Sequence, residues 1–159
     1  MVCKTFFVTG AEGVGKSSIL QILKENFPYI DIHDFDKVGV PINPPLSWRL
    51  ETTKHWLDVA LLNTKKNIST CIVGLSFPNE ITAFKESKRL DIEFFLLDVS
   101  IEERARRLIN YGASVDVVED LECYKILKEH FTENIIDTTN LSIEEVAKQL
   151  SSLIRNFFL

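Results

Sequence analysis

Gly10-Ala11-Glu12-Gly13-Val14-Gly15-Lys16-Ser17 matches the phosphate-loop pattern G-x-x-x-x-G-K-[ST] at every fixed position. The residues on either side fit the mechanism. Phe6, Phe7 and Val8 precede the loop as an apolar run that suits a buried parallel strand, and Ile19, Leu20, Ile22, Leu23 and Phe27 follow at helical spacing. Gly10, Gly13 and Gly15 let the backbone curl with its N–H groups inward and put no side chain between those amides and a triphosphate. Lys16 adds a point charge for the β- and γ-phosphates, the Ser17 hydroxyl is placed to ligate Mg2+, and a helix starting near Val14 turns its positive end to the same spot. The expected nucleotide contacts are therefore Gly10, Ala11, Glu12, Gly13, Val14, Gly15, Lys16, Ser17 and Ser18. A glycine-rich turn that binds nothing is the competing reading, and it leaves the lysine and serine in register without a reason.

A length of 159 residues suits a single domain over 1–159, large enough to bury a real core. With 45% apolar and 26% charged residues, the composition is that of an ordinary soluble globular chain, without low-complexity segments or repeats. Net charge is −5 and Lys and Arg are dispersed among acids, so no broad basic face is available for a nucleic-acid backbone, and no nucleic-acid partner is expected. Cys3, Cys71 and Cys123 are far apart and outside any C-x-x-C spacing, which indicates neither a disulfide framework nor a zinc site. The N-terminal residues enter the first strand almost at once, and no apolar run is long enough for a signal peptide or membrane span. A cytoplasmic protein is the expectation.

Strands are expected at 4–9, 29–34, 70–75, 92–98 and 134–137, and helices near 15–26, 46–66, 79–89, 101–111, 116–131 and 142–157. This βαβα alternation argues for an α/β fold in which a parallel sheet is covered by helices on both faces and carries its ligand at the carboxyl ends of the strands. Ser100-Ile101-Glu102-Glu103 and Ser142-Ile143-Glu144-Glu145 each match the S-x-x-E capping box. The stretch Lys37–Pro45 holds three prolines and a glycine, so it reads as an ordered loop on the rim of the phosphate loop, able to shape a second pocket.

Asp34-Phe35-Asp36 after strand two, Leu97-Asp98-Val99-Ser100 followed by Glu103-Arg104-Ala105-Arg106-Arg107-Leu108, and Ile136-Asp137-Thr138-Thr139 before the last helix complete a pattern. With the phosphate loop, they resemble the small P-loop kinases that phosphorylate nucleotides, nucleosides, shikimate or similar metabolites. The resemblance covers nearly the whole chain in element order, and only the phosphate loop is highly specific. It implies a three-layer α/β/α fold with a five-stranded parallel sheet in the order 2-3-1-4-5. It also implies an acceptor-binding region at about 37–66 and a short lid at about 104–125.

Asp34 and Asp36 are the candidate catalytic carboxylates, as phosphoryl transfer needs an oxygen ligand for the metal and a group that positions or deprotonates the acceptor hydroxyl. Similar kinases carry D-x-D there, and alternate residues on an extended end would face the same way. A solvated turn or an Asx-type cap is the structural alternative. Asp31 and His33 fall on the opposite parity and read as exposed or packed against a helix.

For the acceptor, Trp48 and Arg49 open the helix beyond the proline-rich loop, and Arg49, Thr53 and Trp56 share one helical face. A guanidinium suits an anionic acceptor and an indole a base or apolar ring, whereas core packing competes for Trp56 and an ion pair with Glu51 or Asp58 for Arg49. Arg104 and Arg107, with Arg106 beside them, could stabilise the transferring phosphoryl group or sandwich the base; a solvated helix paired with Glu102 and Glu103 is the plain alternative. Thr138 and Thr139, with Asn140, stand where similar kinases bind the adenine edge through backbone. Two departures are visible. After Arg107-Leu108 related sequences often carry another basic residue, but this chain has Asn110-Tyr111-Gly112 and then Asp116, Glu119 and Asp120. Strand three, Thr70 to Ser76, lacks the aspartate that often supports Mg2+, which leaves Ser17 and Asp34 as metal residues, Asp36 beside them and Ser76 as a weaker candidate.

The expected activity is an ATP- and Mg2+-dependent kinase acting on a nucleotide, nucleoside or similar metabolite. A regulatory NTPase or switch protein is the alternative, and the chain shows neither an N-K-x-D tetrad nor D-x-x-G after strand three. A kinase-like fold that binds nucleotide without transfer is a third reading.

Overall fold

The computed structural model describes residues 2–11, 13–110 and 117–159, with the backbone alone at 117–121. In chain order the elements are β1 (Thr5–Thr9), α1 (Lys16–Asn26), β2 (Ile30–Asp34), α2 (Leu46–Lys65), β3 (Ser69–Val73), α3 (Pro78–Ala83), β4 (Ile92–Asp98), α4 (Ile101–Asn110), α5 (Val117–His130), β5 (Ile135–Asp137) and α6 (Ile143–Asn156). Short 3-10 turns at Phe35–Val38 and Lys85–Arg89 complete the set. All strand pairings are parallel, in the order β2-β3-β1-β4-β5.

The centre of the sheet is apolar on both faces, because each strand there is covered twice. Phe6 and Val8 of β1 point into one core with Ile19 and Leu23 of α1 and Leu150 and Ile154 of α6. Phe7 between them faces the other way, with Ile72, Trp56, Leu57 and Ile81. Alternation along the strand thus feeds two separate cores. Each such fully buried side chain contributes about 1.5–3 kcal/mol. A third cluster, Phe77, Leu96, Leu127 and Phe131, attaches α5 to the sheet.

Helix ends follow the polar pattern with one difference. Ser142 and Glu145 form the complete capping box at α6, with the Ser142 amide donating to Glu145 Oε2 at 2.7 Å and the Glu145 amide to Ser142 Oγ at 3.1 Å. At α4 only half forms: the Glu103 amide donates to Ser100 Oγ at 3.2 Å, while the Glu103 carboxylate is engaged by Arg106 and Arg107.

The continuous helix expected at 79–89 is corrected. It stops at Ala83, Phe84 takes an extended conformation (φ −76°, ψ 137°), and a 3-10 turn follows. Phe84 packs on the core of Phe7 and Ile81, and Ser87 Oγ donates to the Phe84 carbonyl at 2.7 Å, so tertiary burial and a local serine bond replace helical continuation. The Lys37–Pro45 segment begins inside the first 3-10 turn and then runs exposed to α2. Among the described residues, no helix is long and apolar enough to cross a membrane.

Candidate active site

The phosphate loop joins β1 to α1 through two left-handed glycines, Gly13 (φ 78°) and Gly15 (φ 94°). Gly15 is the N-cap of α1 and brings no side chain, so the first-turn amides of Lys16, Ser17 and Ser18 are available to an anion. Gly10 is needed for close approach: a Cβ there would lie 2.6 Å from both the Leu97 carbonyl oxygen and Val14 Cγ2. The Lys16 ammonium folds over its own loop, donating to the carbonyls of Gly10 and of Ala11, the latter at 2.8 Å. A cavity of about 950 Å3 opens beside this loop. Residues 13–18, Asp34, Asp36, residues 73–75, Glu103, Arg106, Arg107 and residues 138–144 line it. Glu12 lies outside the described residues.

Asp34 and Asp36 both border that cavity, though not by strand parity. Asp36 sits in the 3-10 turn, and Asp34 caps it: the Asp36 amide donates to Asp34 Oδ1 at 2.9 Å. The Asx-type cap weighed as the alternative is therefore present in a residue that also faces the cavity. Gly74 at the end of β3 makes the turn possible, because a Cβ there would lie 2.4 Å from Phe35 Cβ. Phe35 is buried at 1% exposure, with its carbonyl accepting from Trp56 Nε1 at 2.9 Å. The strand-three aspartate is thus missing beside a contact that tolerates no side chain at 74. Ser76 is buried and tied to β1: its amide donates to Thr9 Oγ1 at 2.9 Å, Thr9 Oγ1 donates to its carbonyl at 2.7 Å, and it does not border the cavity.

Asp31 and His33 turn to α2. Asp31 Oδ2 lies 2.8 Å from His33 Nε2 and accepts from Asn63 Nδ2 at 2.7 Å, and the His33 ring stacks on Trp56 at 4.8 Å. Partial burial pushes the Asp31 carboxyl up, but the His33 and Asn63 bonds outweigh it and hold the carboxyl below its ordinary range.

The α4 arginines have three different surroundings. Arg107 straps the site: it donates to the Gly13 carbonyl at 3.3 Å, to Thr138 Oγ1 at 3.1 Å, to the Thr138 carbonyl at 2.8 Å and to Glu103 Oε1 at 3.0 Å. Arg106 borders the cavity while paired through two bonds with Glu103, at 2.8 and 2.6 Å. Arg104 is buried at 3% exposure, lies 4.8 Å over the Tyr124 ring and backs onto Gly13 rather than bordering the cavity. Pairing is with Glu103, not Glu102, and the hydrogen bonds of Arg106 and then Arg107 hold the Glu103 carboxyl down at about 2. Arg106 was named beside Arg104 and Arg107 in the sequence and Glu103 as an ion-pair partner on the plain alternative; the structure forms that pair at i, i+3.

Thr138 and Thr139 border the cavity with side chains already committed. Thr138 Oγ1 donates to the Asp98 carbonyl at 2.9 Å, and Thr139 Oγ1 donates to Asp137 Oδ1 at 2.5 Å while accepting the Ser100 amide at 2.9 Å. In the lid expected at 104–125, positions 111–116, including Tyr111, Gly112 and Asp116, and the side chains of Glu119 and Asp120 lie outside the described residues.

On the acceptor side, Arg49 is paired with neither Glu51 nor Asp58. Its Nε and NH2 donate to Glu80 Oε2 and Oε1 at 2.9 and 2.6 Å, its guanidinium lies 4.8 Å over Phe77, and Asp58 is taken by Lys54 at 2.7 Å. Trp48 Nε1 donates to the Gly39 carbonyl at 3.0 Å and its ring meets Phe35 edge-on at 6.2 Å. Thr53 and Trp56 are buried, at 1% and 3% exposure, and Trp56 packs in the core with Phe7 and Ile72, the alternative weighed against an acceptor contact. None of these four borders the phosphate-loop cavity.

No family model matches this chain, and no curated protein matches it in sequence. Solved structures do. The tunicamycin resistance protein of Deinococcus radiodurans superposes with a TM-score of 0.71 at 19% identity, covering 96% of this chain and 95% of that one. A gluconokinase from Sinorhizobium meliloti 1021 gives 0.68 at 16% identity over 98% and 95%. The APS kinase CysC of Mycobacterium tuberculosis, solved with AMPPNP and APS, gives 0.61 at 17% over 97% and 98%. The chain has the fold of the small P-loop kinases.

Proposed function

We propose that this chain is an ATP- and Mg2+-dependent small-molecule kinase that transfers the γ-phosphoryl group to a nucleotide, nucleoside or similar metabolite. The observation that carries this reading is the single cavity onto which the phosphate loop, Asp34, Asp36, Arg106 and Arg107 all open. The amides at the start of α1 and the Lys16 ammonium hold the β- and γ-phosphates, with Lys16 exchanging the Gly10 and Ala11 carbonyls for phosphate oxygens. Hydroxyl and carboxylate oxygens suit a hard divalent cation, and Ser17 and Asp34 would hold Mg2+. Bound with ATP, Mg2+ supplies charge neutralisation at the phosphate oxygens. Asp36 positions the acceptor hydroxyl at the cavity edge, and Arg106, released from Glu103, covers the transferring group. Arg107 keeps the phosphate loop and the 138–139 turn in register, where backbone groups border the base. The region 37–66 forms the acceptor side and 104–125 the lid of one domain.

ADP release is measured with Mg-ATP and a panel of nucleosides, nucleotides and polyol acids. At least one acceptor accelerates release, and Lys16→Ala lowers the stimulated rate by about 10²–10³-fold. If no acceptor lifts the rate above the Lys16→Ala background, the kinase reading is wrong.

A further inference from the structure

Glu103 stands among the cations of the phosphate-loop cavity. Of the described residues bordering it, Lys16, Arg106 and Arg107 are cationic and Asp34, Asp36, Glu103 and Glu144 anionic, so the pull on an entering polyphosphate depends on how far each cation is already engaged. Helix α4 lies directly on the loop: Arg107 donates to the Gly13 carbonyl, and a Cβ at Gly13 would lie 3.3 Å from Arg104 Cγ and 3.4 Å from Leu108 Cγ. The two cavity-facing arginines of α4 are unequally tied. Arg107 has acceptors at Gly13 and Thr138, at 3.3, 3.1 and 2.8 Å, that do not depend on Glu103. Among the described residues, the Arg106 guanidinium donates to Glu103 alone, through Nε at 2.8 Å and NH2 at 2.6 Å. Side-chain exposure is 63% for Arg106 and 18% for Glu103, so the arginine has room to turn, while the carboxylate is also held by Arg107 at 3.0 Å.

We propose that Glu103 is a positioning residue that competes with bound polyphosphate for Arg106: the nucleotide takes the guanidinium by breaking the Glu103 pair, and Glu103 takes it back when the anion leaves. This rests on the kinase reading above for the anion in the phosphate loop, and not for the transfer step. A phosphate chain carries more negative charge than one carboxylate and accepts the same planar fork, so it wins Arg106 at the cost of the pair it breaks. With its carboxyl held down at about 2 by Arg106 and Arg107, Glu103 is ionised throughout the neutral range and the competition is always present. The pair is partly solvated, so breaking it lowers affinity by a small factor and does not block the site. Without the carboxylate, Arg107 stays on Gly13 and Thr138 while Arg106 passes to the ligand, so nucleotide is held more tightly and ADP leaves more slowly.

Inorganic tripolyphosphate and ADP, each with Mg2+, are titrated by calorimetry into wild type, Glu103→Gln, Arg106→Gln and the double variant. Glu103→Gln binds both probes about three- to tenfold more tightly than wild type, whereas damage to α4 would lower affinity. In the Arg106→Gln background the same change gains less than about twofold, because no guanidinium remains to be released. Glu144→Gln removes a carboxylate from the same cavity and also gains less than about twofold, which separates the pairing from net charge. Lys16→Ala weakens both probes by at least about tenfold, which places them in the phosphate loop. Unchanged or weaker binding in Glu103→Gln, an equal gain without Arg106, an equal gain from Glu144→Gln, or binding indifferent to Lys16→Ala overturns the proposal. The expected affinities without a phosphoester on any acceptor by 31P NMR leave the proposal standing and count against the kinase reading.

Discussion

Gly15 and Gly74 both have positive φ, and their substitution is expected to fail for different reasons. At Gly15 (φ 94°) a Cβ meets nothing within 4 Å, so alanine bears only the left-handed backbone cost of about 1–2 kcal/mol. At Gly74 the Cβ would lie 2.4 Å from Phe35 Cβ, and relief requires moving the turn that carries Asp34 and Asp36. Gly74→Ala is therefore expected to lower stability by about 1–3 kcal/mol and to cut activity through the displaced carboxylates. Denaturant unfolding of the two variants beside their ADP-release rates checks this; a Gly74→Ala protein with wild-type activity would refute the turn argument. Lys16 and Ser17 were legible because a loop that binds through its own backbone writes its requirements in adjacent residues. The partner of Arg49 was not, since Glu80 arrives from a different element. Burial of Arg104 was equally hidden, because i, i+3 spacing places it with Arg107 without saying which side meets α5.

At the scale of elements, α4 is fastened to the phosphate loop and to the turn after β5 by Arg107, with Glu103 as the shared acceptor. The Glu103 carboxyl is held at about 2, below its ordinary 4.5, by the bonds from Arg106 and Arg107. A depressed carboxyl favours the folded state while ionised. Its contribution is full above about pH 4.5 and is lost as pH falls towards 2. The thermal-midpoint difference between wild type and Glu103→Gln should shrink across that window; a difference unchanged from pH 6 to pH 2.5 would show that the charge does not hold α4. The capping serines 100 and 142 marked both helix starts in the sequence, since caps are local. The break at Phe84 was invisible, because what bends the chain there is a pocket in the distant core of Phe7 and Ile81.

Across the whole molecule, the strand order β2-β3-β1-β4-β5 brings residues 13–18, Asp34, Asp36, Glu103, Arg106, Arg107 and residues 138–144 to one rim of the sheet. That convergence was readable from the alternation of strands and helices, because a parallel sheet with crossovers on both faces leaves its ligand site at the carboxyl ends. The meeting of Arg49 with Glu80 was not readable, because no local pattern encodes a contact between α2 and α3. In the kinase proposed above, the phosphate loop serves transfer rather than hydrolysis or signalling. The most direct measurement follows the γ-phosphoryl group of Mg-ATP by 31P NMR, with and without acceptors, in wild type and Lys16→Ala. A phosphoester on the acceptor, formed by wild type and lost in Lys16→Ala, is the predicted result; inorganic phosphate alone, released at a rate indifferent to every acceptor, would contradict it.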